Sequence, residues 1–439
     1  MLPRKIIMEQ QLLSPYNQSI NQLKRPNTNN RTIIITMAEP TIPIAYGTPI
    51  PPPAQNPAAS APPARDLQGA TTLNGGRSSR VVMPQGGQEF VEIDARKISL
   101  LMEQGFTRGL AESLRSNKLA LPLSIWIVDN SGSMQHRDGH RIVETAKKSH
   151  IKFVECTRWA EMVQTVEYHA QMAGVLQSPT VFRLLNDPGR AAGPQQFSIA
   201  ERGAQFIDED LATAQQTMTN TSPGGVTPLV PHLKEIRQNI LELEDKLRRD
   251  GSKVVVVLAT DGLPSNNRGI CDSAVKREFV EALRSLEGLP VWIVIRLCTD
   301  EDDVVEFWNS LDEQLELSLE VLDDFSAEGE EVHEQNPWLT YGLPLHRMRE
   351  MGFHHRIFDL LDERKLVKDE LRDFFRLLFG DGQMDGVPDP QSDWKGFYDK
   401  ICKIVQQEGK TWNPIKKRME PWVDVKKLKK MYGPSGWLW

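Results

Sequence analysis

The chain has 439 residues, 39% of them AVILMFWYC and 25% charged, which is material for two or three packed domains. Its 52 Lys and Arg stand against 59 Asp and Glu, a formal net charge of −7 that disfavours a surface built throughout to grip nucleic acid. No apolar run approaches the ~20 residues of a membrane-spanning helix, and the four cysteines stand far apart with no CxxC spacing, against a disulfide scaffold or zinc knuckle.

Residues 1–90 come first. Asn and Gln crowd the first thirty positions, and nine prolines fall between Pro40 and Pro63. Such a segment buries too little apolar surface to offset its chain entropy, so a disordered tail is expected. MLPRKIIMEQQLLSP lacks the apolar core of a secretory signal, so an intracellular, cytoplasmic protein is expected. Met37 is a candidate alternative start. Over 91–120, Ile98, Leu101, Phe106, Leu110 and Leu114 recur at helical spacing, predicting a helical lead-in packed on the next domain.

From 121 to 335 strands alternate with helices. Leu123–Val128, Val181–Leu185, Phe197–Ala200, Val254–Ala259 and Val291–Leu297 are apolar runs rich in β-branched or aromatic residues, as in strands covered on both faces, and Leu319–Leu322 reads as a last strand. Leu229, Leu233, Ile236, Ile240, Leu243 and Leu247 mark one stripe of an amphipathic helix, and Asp272–Leu286 and Asp302–Leu315 read as further helices. The pattern predicts a doubly wound α/β domain with a mostly parallel sheet flanked by helices. Residues 336–439 read as a helical extension, with helices over Phe358–Leu378 and Trp394–Gln407 and then a basic, Trp-rich end.

Three strand ends carry the chemistry. The first strand runs into Asp129-Asn130-Ser131-Gly132-Ser133, Gly224-Gly225-Val226-Thr227 precedes the amphipathic helix, and the fourth strand runs into Asp261-Gly262. Open α/β sheets bind ligands beyond the carboxyl ends of their strands, where the strand order reverses. A spacing of two in Asp129, Ser131 and Ser133 lets a turning loop aim three oxygens at one point. Two carboxylates and three hydroxyls form a hard, all-oxygen set suited to Mg²⁺ or Mn²⁺. The plainer alternative makes Asp129, Ser131 and Thr227 caps of the segments that follow them.

These three pieces together resemble the metal-ion-dependent adhesion site of the von Willebrand factor A (vWA) domain, over roughly half the chain. The resemblance implies that Ser131 and Ser133 bind the metal directly, Thr227 directly or through water, and Asp129 and Asp261 largely through waters. It also implies one open coordination position for an acidic side chain from a protein partner. That is a binding mechanism, not a catalytic one. A scaffold or assembly component is therefore expected, not an enzyme. The stretch from Met134 to Thr227 is long for the family, and His136, Asp138 and His140 crowd the mouth.

Other signals are weaker. His136 and His140 would share a helix face as zinc ligands, but Asp138-Gly139 between them suggests a turn. Asp381–Gly386 lacks the bidentate Glu of a calcium loop, Ser392 standing in its place. A Mg²⁺-dependent hydrolase at the Asp129 loop would want a second carboxylate where Ser131 stands, and no general base is evident. Fifteen acidic residues and no Lys or Arg lie between Asp300 and Glu334, and eight basic residues between Lys410 and Lys430, with Trp412 and Trp422 interleaved. The basic segment could clamp the acidic one or serve as a nucleic-acid arm.

Overall fold

A computed structural model describes residues 95–144, 151–299 and 301–434; the tail expected over 1–90 lies outside them. Two helices, α1 (Ala95–Glu103) and α2 (Arg108–Ala120), lead into strand β1 (Leu123–Val128). A hairpin of β2 (Gly139–Glu144) and β3 (Ile151–Cys156) follows, then the long helix α3 (Arg158–Leu176). Next come β4 (Thr180–Leu184), β5 (Gln196–Ile199), α4 (Ile207–Asn220), α5 (Leu229–Asp250) and β6 (Val254–Thr260). The alternation ends with α6 (Ser273–Arg284), β7 (Val291–Leu297), α7 (Asp302–Gln314) and β8 (Leu319–Leu322).

Six of these strands form one sheet in the order β5-β4-β1-β6-β7-β8, parallel throughout except for the antiparallel edge strand β5. Numbered within the sheet, that order is 3-2-1-4-5-6, so the chain reverses direction between β1 and β6. β1, β6 and β7 are buried on both faces, as their unbroken apolar runs require. Ile125, Ile127, Val256 and Ile293 pack against α5, α6 and α7 through Leu233, Ile236, Phe279 and Trp308. On the other face Trp126, Val128, Val257 and Val294 share a core with Met162 and Val166 of α3 and Met218 of α4.

The extension adds helices α8 (Phe325–Gln335), α9 (Leu343–Glu350), α10 (Arg356–Glu363), α11 (Lys368–Phe379), α12 (Asp381–Met384) and α13 (Trp394–Gln407). A second hairpin, β9 (Lys410–Asn413) and β10 (Arg418–Pro421), and helix α14 (Val425–Tyr432) complete it. The helix expected over Phe358–Leu378 is thus two. The side-chain amide of the buried Asn336 donates to Leu361 O and Arg364 O at 2.9 Å each and accepts from Leu366 N, satisfying the backbone freed at the break.

The lead-in helices do not pack on the α/β layers alone. Leu101, Leu110 and Leu114 enter one core with Trp338, Phe358, Phe375 and Phe397 of the extension, and with Tyr168 and Met172 of α3. Gly109 lies so close to the end of α11 that an added Cβ would collide with the Gly380 and Leu377 backbone. Side chains also finish the edge of β2. Glu161 accepts from His140 N at 2.9 Å, while the Gln164 amide accepts from Ile142 N at 3.1 Å and donates to Ile142 O at 2.9 Å. Among the described residues no helix is long and apolar enough to cross a membrane.

Candidate metal centre

The end of β1 aims the first motif. Asp129 N makes a last ladder bond to Ala259 O at 2.8 Å, and the chain then turns out of the sheet. Asp129 Oδ1 accepts from Ser131 N at 2.8 Å and Oδ2 from the Thr260 hydroxyl at 2.6 Å, which fixes the carboxylate across the reversal point. The Ser131 and Ser133 hydroxyls lie 3.0 Å apart, and Ser133 Oγ donates to Asp261 Oδ1 at 2.9 Å. Asp129, Ser131, Ser133 and Asp261 therefore form one hydrogen-bonded cluster.

Thr227 arrives through its loop. Gly132 N donates to Gly225 O at 3.2 Å and Gly224 N to Asn130 O at 2.8 Å, docking the second motif on the first. Gly225 has φ +89°, and the Asn186 side chain fills the place a Cβ would take while donating to Val226 O at 2.8 Å. Thr227 N donates to Ser265 Oγ and Ser265 N to Thr227 O, both at 2.9 Å. Asp129, Ser131, Thr227 and Asp261 are buried, and Ser133 is half-buried.

Burial, and then the charge of Asp261, push the Asp129 carboxyl up to about 6, against hydrogen bonds from Thr260 and Ser131 that pull it down. Asp261 is also raised by burial, with Ser133 and Arg158 opposing. Two carboxylates that resist ionisation side by side, with hydroxyl oxygens between them, are what a hard dication relieves. Among the described residues no three His, Cys, Asp or Glu side chains gather as metal ligands, so a centre here depends on the serine and threonine hydroxyls.

Neither protein-family models nor curated proteins match this chain. The geometry therefore stands on its own residues, and one of those lies outside the motifs. Arg158, the first residue of α3, is 2% exposed and donates to Asp261 Oδ2 at 3.0 Å. Its Nε donates to Asp138 Oδ1 at 2.7 Å, and its Nη2 to Asp138 and, at 2.8 Å, to Glu301 Oε1. Burial works against the guanidinium charge, and the bonds from Asp138, Glu301 and Asp261 more than restore it. Nothing in the spacing of the sequence marks this residue, because its role comes from loops converging in space.

The remaining sequence candidates have structural roles. His140 lies on β2 and His136 in the loop before it, so no helix presents the two as a zinc pair. Asp381–Met384 is the short helix α12. Trp412 and Trp422 are buried, whereas stacking on nucleobases needs open aromatic faces. Lys416 and Arg418 pair with Glu420 of their own hairpin, and Lys427 Nζ lies 3.3 Å from His333 Nε2.

A buried ionic network also escaped the sequence. Glu350 of α9 accepts from Arg347 Nη1 at 2.8 Å, lies 2.8 Å from His169 Nε2 of α3, and accepts from Arg296 Nε of β7 at 3.4 Å. Arg296 also pairs with Glu161. Burial would raise the Glu350 carboxyl, but Arg347 and His169 hold it well below the usual range. A small cavity of about 30 Å³ lies against this network, lined in part by His346, Arg347 and Glu350.

Proposed function

We propose that this chain is a divalent-cation-dependent protein-binding scaffold of the vWA type, working inside the cell. The observation that carries the reading is the convergence of Asp129, Ser131, Ser133 and Asp261 at the reversal point of a 3-2-1-4-5-6 sheet, with the Thr227 loop docked beside them. Mg²⁺ or Mn²⁺ would be held by the hydroxyls of Ser131, Ser133 and Thr227 and the carboxylates of Asp129 and Asp261. It would supply an electrophilic position open to a carboxylate from a partner protein.

A hydrolase at the same place has less support. The rim carboxylates, Asp138 and Glu301, are both tied to Arg158, which is a poor setting for a general base. Trp412 and Trp422, the aromatic residues interleaved with the basic segment, are buried in the core rather than open to nucleobases. The test is calorimetric titration of the full chain with Mg²⁺ and Mn²⁺ beside Ser131→Ala/Ser133→Ala. Saturable binding lost in the double variant, with an unchanged circular dichroism spectrum, is expected. Partner capture indifferent to both EDTA and the substitutions would overturn the reading.

A further inference from the structure

We propose that Arg158 is a resident counter-cation of the metal centre, which competes with the dication for Asp261 and so sets the affinity of the site. The inference rests on the metal reading above and adds its control. The oxygens of Asp261 are divided: Oδ1 accepts from Ser133 on the motif side, and Oδ2 accepts from Arg158 at 3.0 Å. The guanidinium is 2% exposed, and its side-chain bonds all go to carboxylates. A buried cation is costly, and the N-terminus of a helix, where Arg158 sits, is the end that disfavours positive charge. The two penalties coincide at a positive charge that lies against the candidate metal site.

Around Arg158 stand Asp138, Asp261 and Glu301, while Asp129 bonds to Ser131 and Thr260. The two outer carboxylates are about half exposed, at 51% for Asp138 and 58% for Glu301. They come from separate places, the loop before β2 and the residue before α7. A dication beside Asp261 repels the guanidinium, and these outer partners are where Arg158 can settle. Occupancy of the centre is thereby tied to the anchoring of the β2–β3 hairpin and the start of α7.

The test is calorimetric titration with Mn²⁺ of the full-length wild type, Arg158→Gln, Arg158→Lys and Asp138→Asn/Glu301→Gln, each checked for a native circular dichroism spectrum. Removing the charge with Gln should tighten Mn²⁺ binding about tenfold, within the usual span of coupling between sites. Lys, which keeps the charge but loses the two-pronged hold on Asp138, should bind more weakly than Arg158→Gln, and Asp138→Asn/Glu301→Gln, which leaves Arg158 Asp261 as its sole charged partner, should bind several-fold more weakly than wild type. Binding by Arg158→Gln equal to or weaker than that of a binding wild type would overturn the role of Arg158 and leave the metal centre standing. Should Arg158→Gln fail to fold, wild-type affinity in the Asp138/Glu301 variant overturns it instead. Absence of binding in both wild type and Arg158→Gln would overturn the metal reading itself.

Discussion

At neutral pH the fully buried Asp129 must carry its charge beside Asp261, so its ionisation opposes folding in the metal-free protein. Its folded value of about 6 lies above the ordinary 3.8, so its contribution to stability is fully present below pH 4 and is lost as the pH rises through 6. Asp129→Asn should therefore stabilise the metal-free chain by up to about 3 kcal/mol at pH 7.5 and change little at pH 4, measured by urea unfolding in EDTA. Mg²⁺ should reverse the order at pH 7.5, and its affinity should fall as the pH drops below 6. Asp129, Ser131, Ser133 and Asp261 were legible because a loop leaving a strand sets the direction of its own next few side chains. Arg158, Asp138 and Glu301 were not, since their meeting depends on three connections that no local spacing records.

Among the elements, the six sheet strands were readable to within a residue or so: β1, β6 and β7, covered on both faces, as unbroken apolar runs, and the edge strands β5 and β8 as short runs interrupted by Ser198 and Glu320. The two hairpins were not. β2 reads Gly-His-Arg-Ile-Val-Glu and β9 reads Lys-Thr-Trp-Asn, and their pairing is held by long-range partners rather than by an apolar run. The network joining α3, β7 and α9 was equally hidden, because charged residues in a sequence suggest solvent. Glu350→Gln leaves Arg347, Arg296 and His169 around a neutral amide and should cost about 3–5 kcal/mol in urea unfolding. Gly109→Ala should also destabilise, by about 2 kcal/mol or more, since the backbone of Leu377 and Gly380 cannot yield as a side chain would.

For the molecule as a whole, the sequence suggested a lead-in, an α/β domain and an extension in series, whereas the described residues share their cores. Trp292 and Val255 on the sheet are covered from the extension by His354 and Gly352, and Leu110 and Leu114 of the lead-in depend on Phe374 and Phe375. Residues 121–335 alone should therefore self-associate in sedimentation velocity and unfold at lower urea than 91–439, the exposed faces being apolar. The finish of the β2 edge acts on a different property, the tendency to polymerise. An open edge is a template on which another chain can add a strand. With His140 N and both backbone groups of Ile142 already answered by Glu161 and Gln164, these positions of β2, beside the candidate centre, are closed to an added strand.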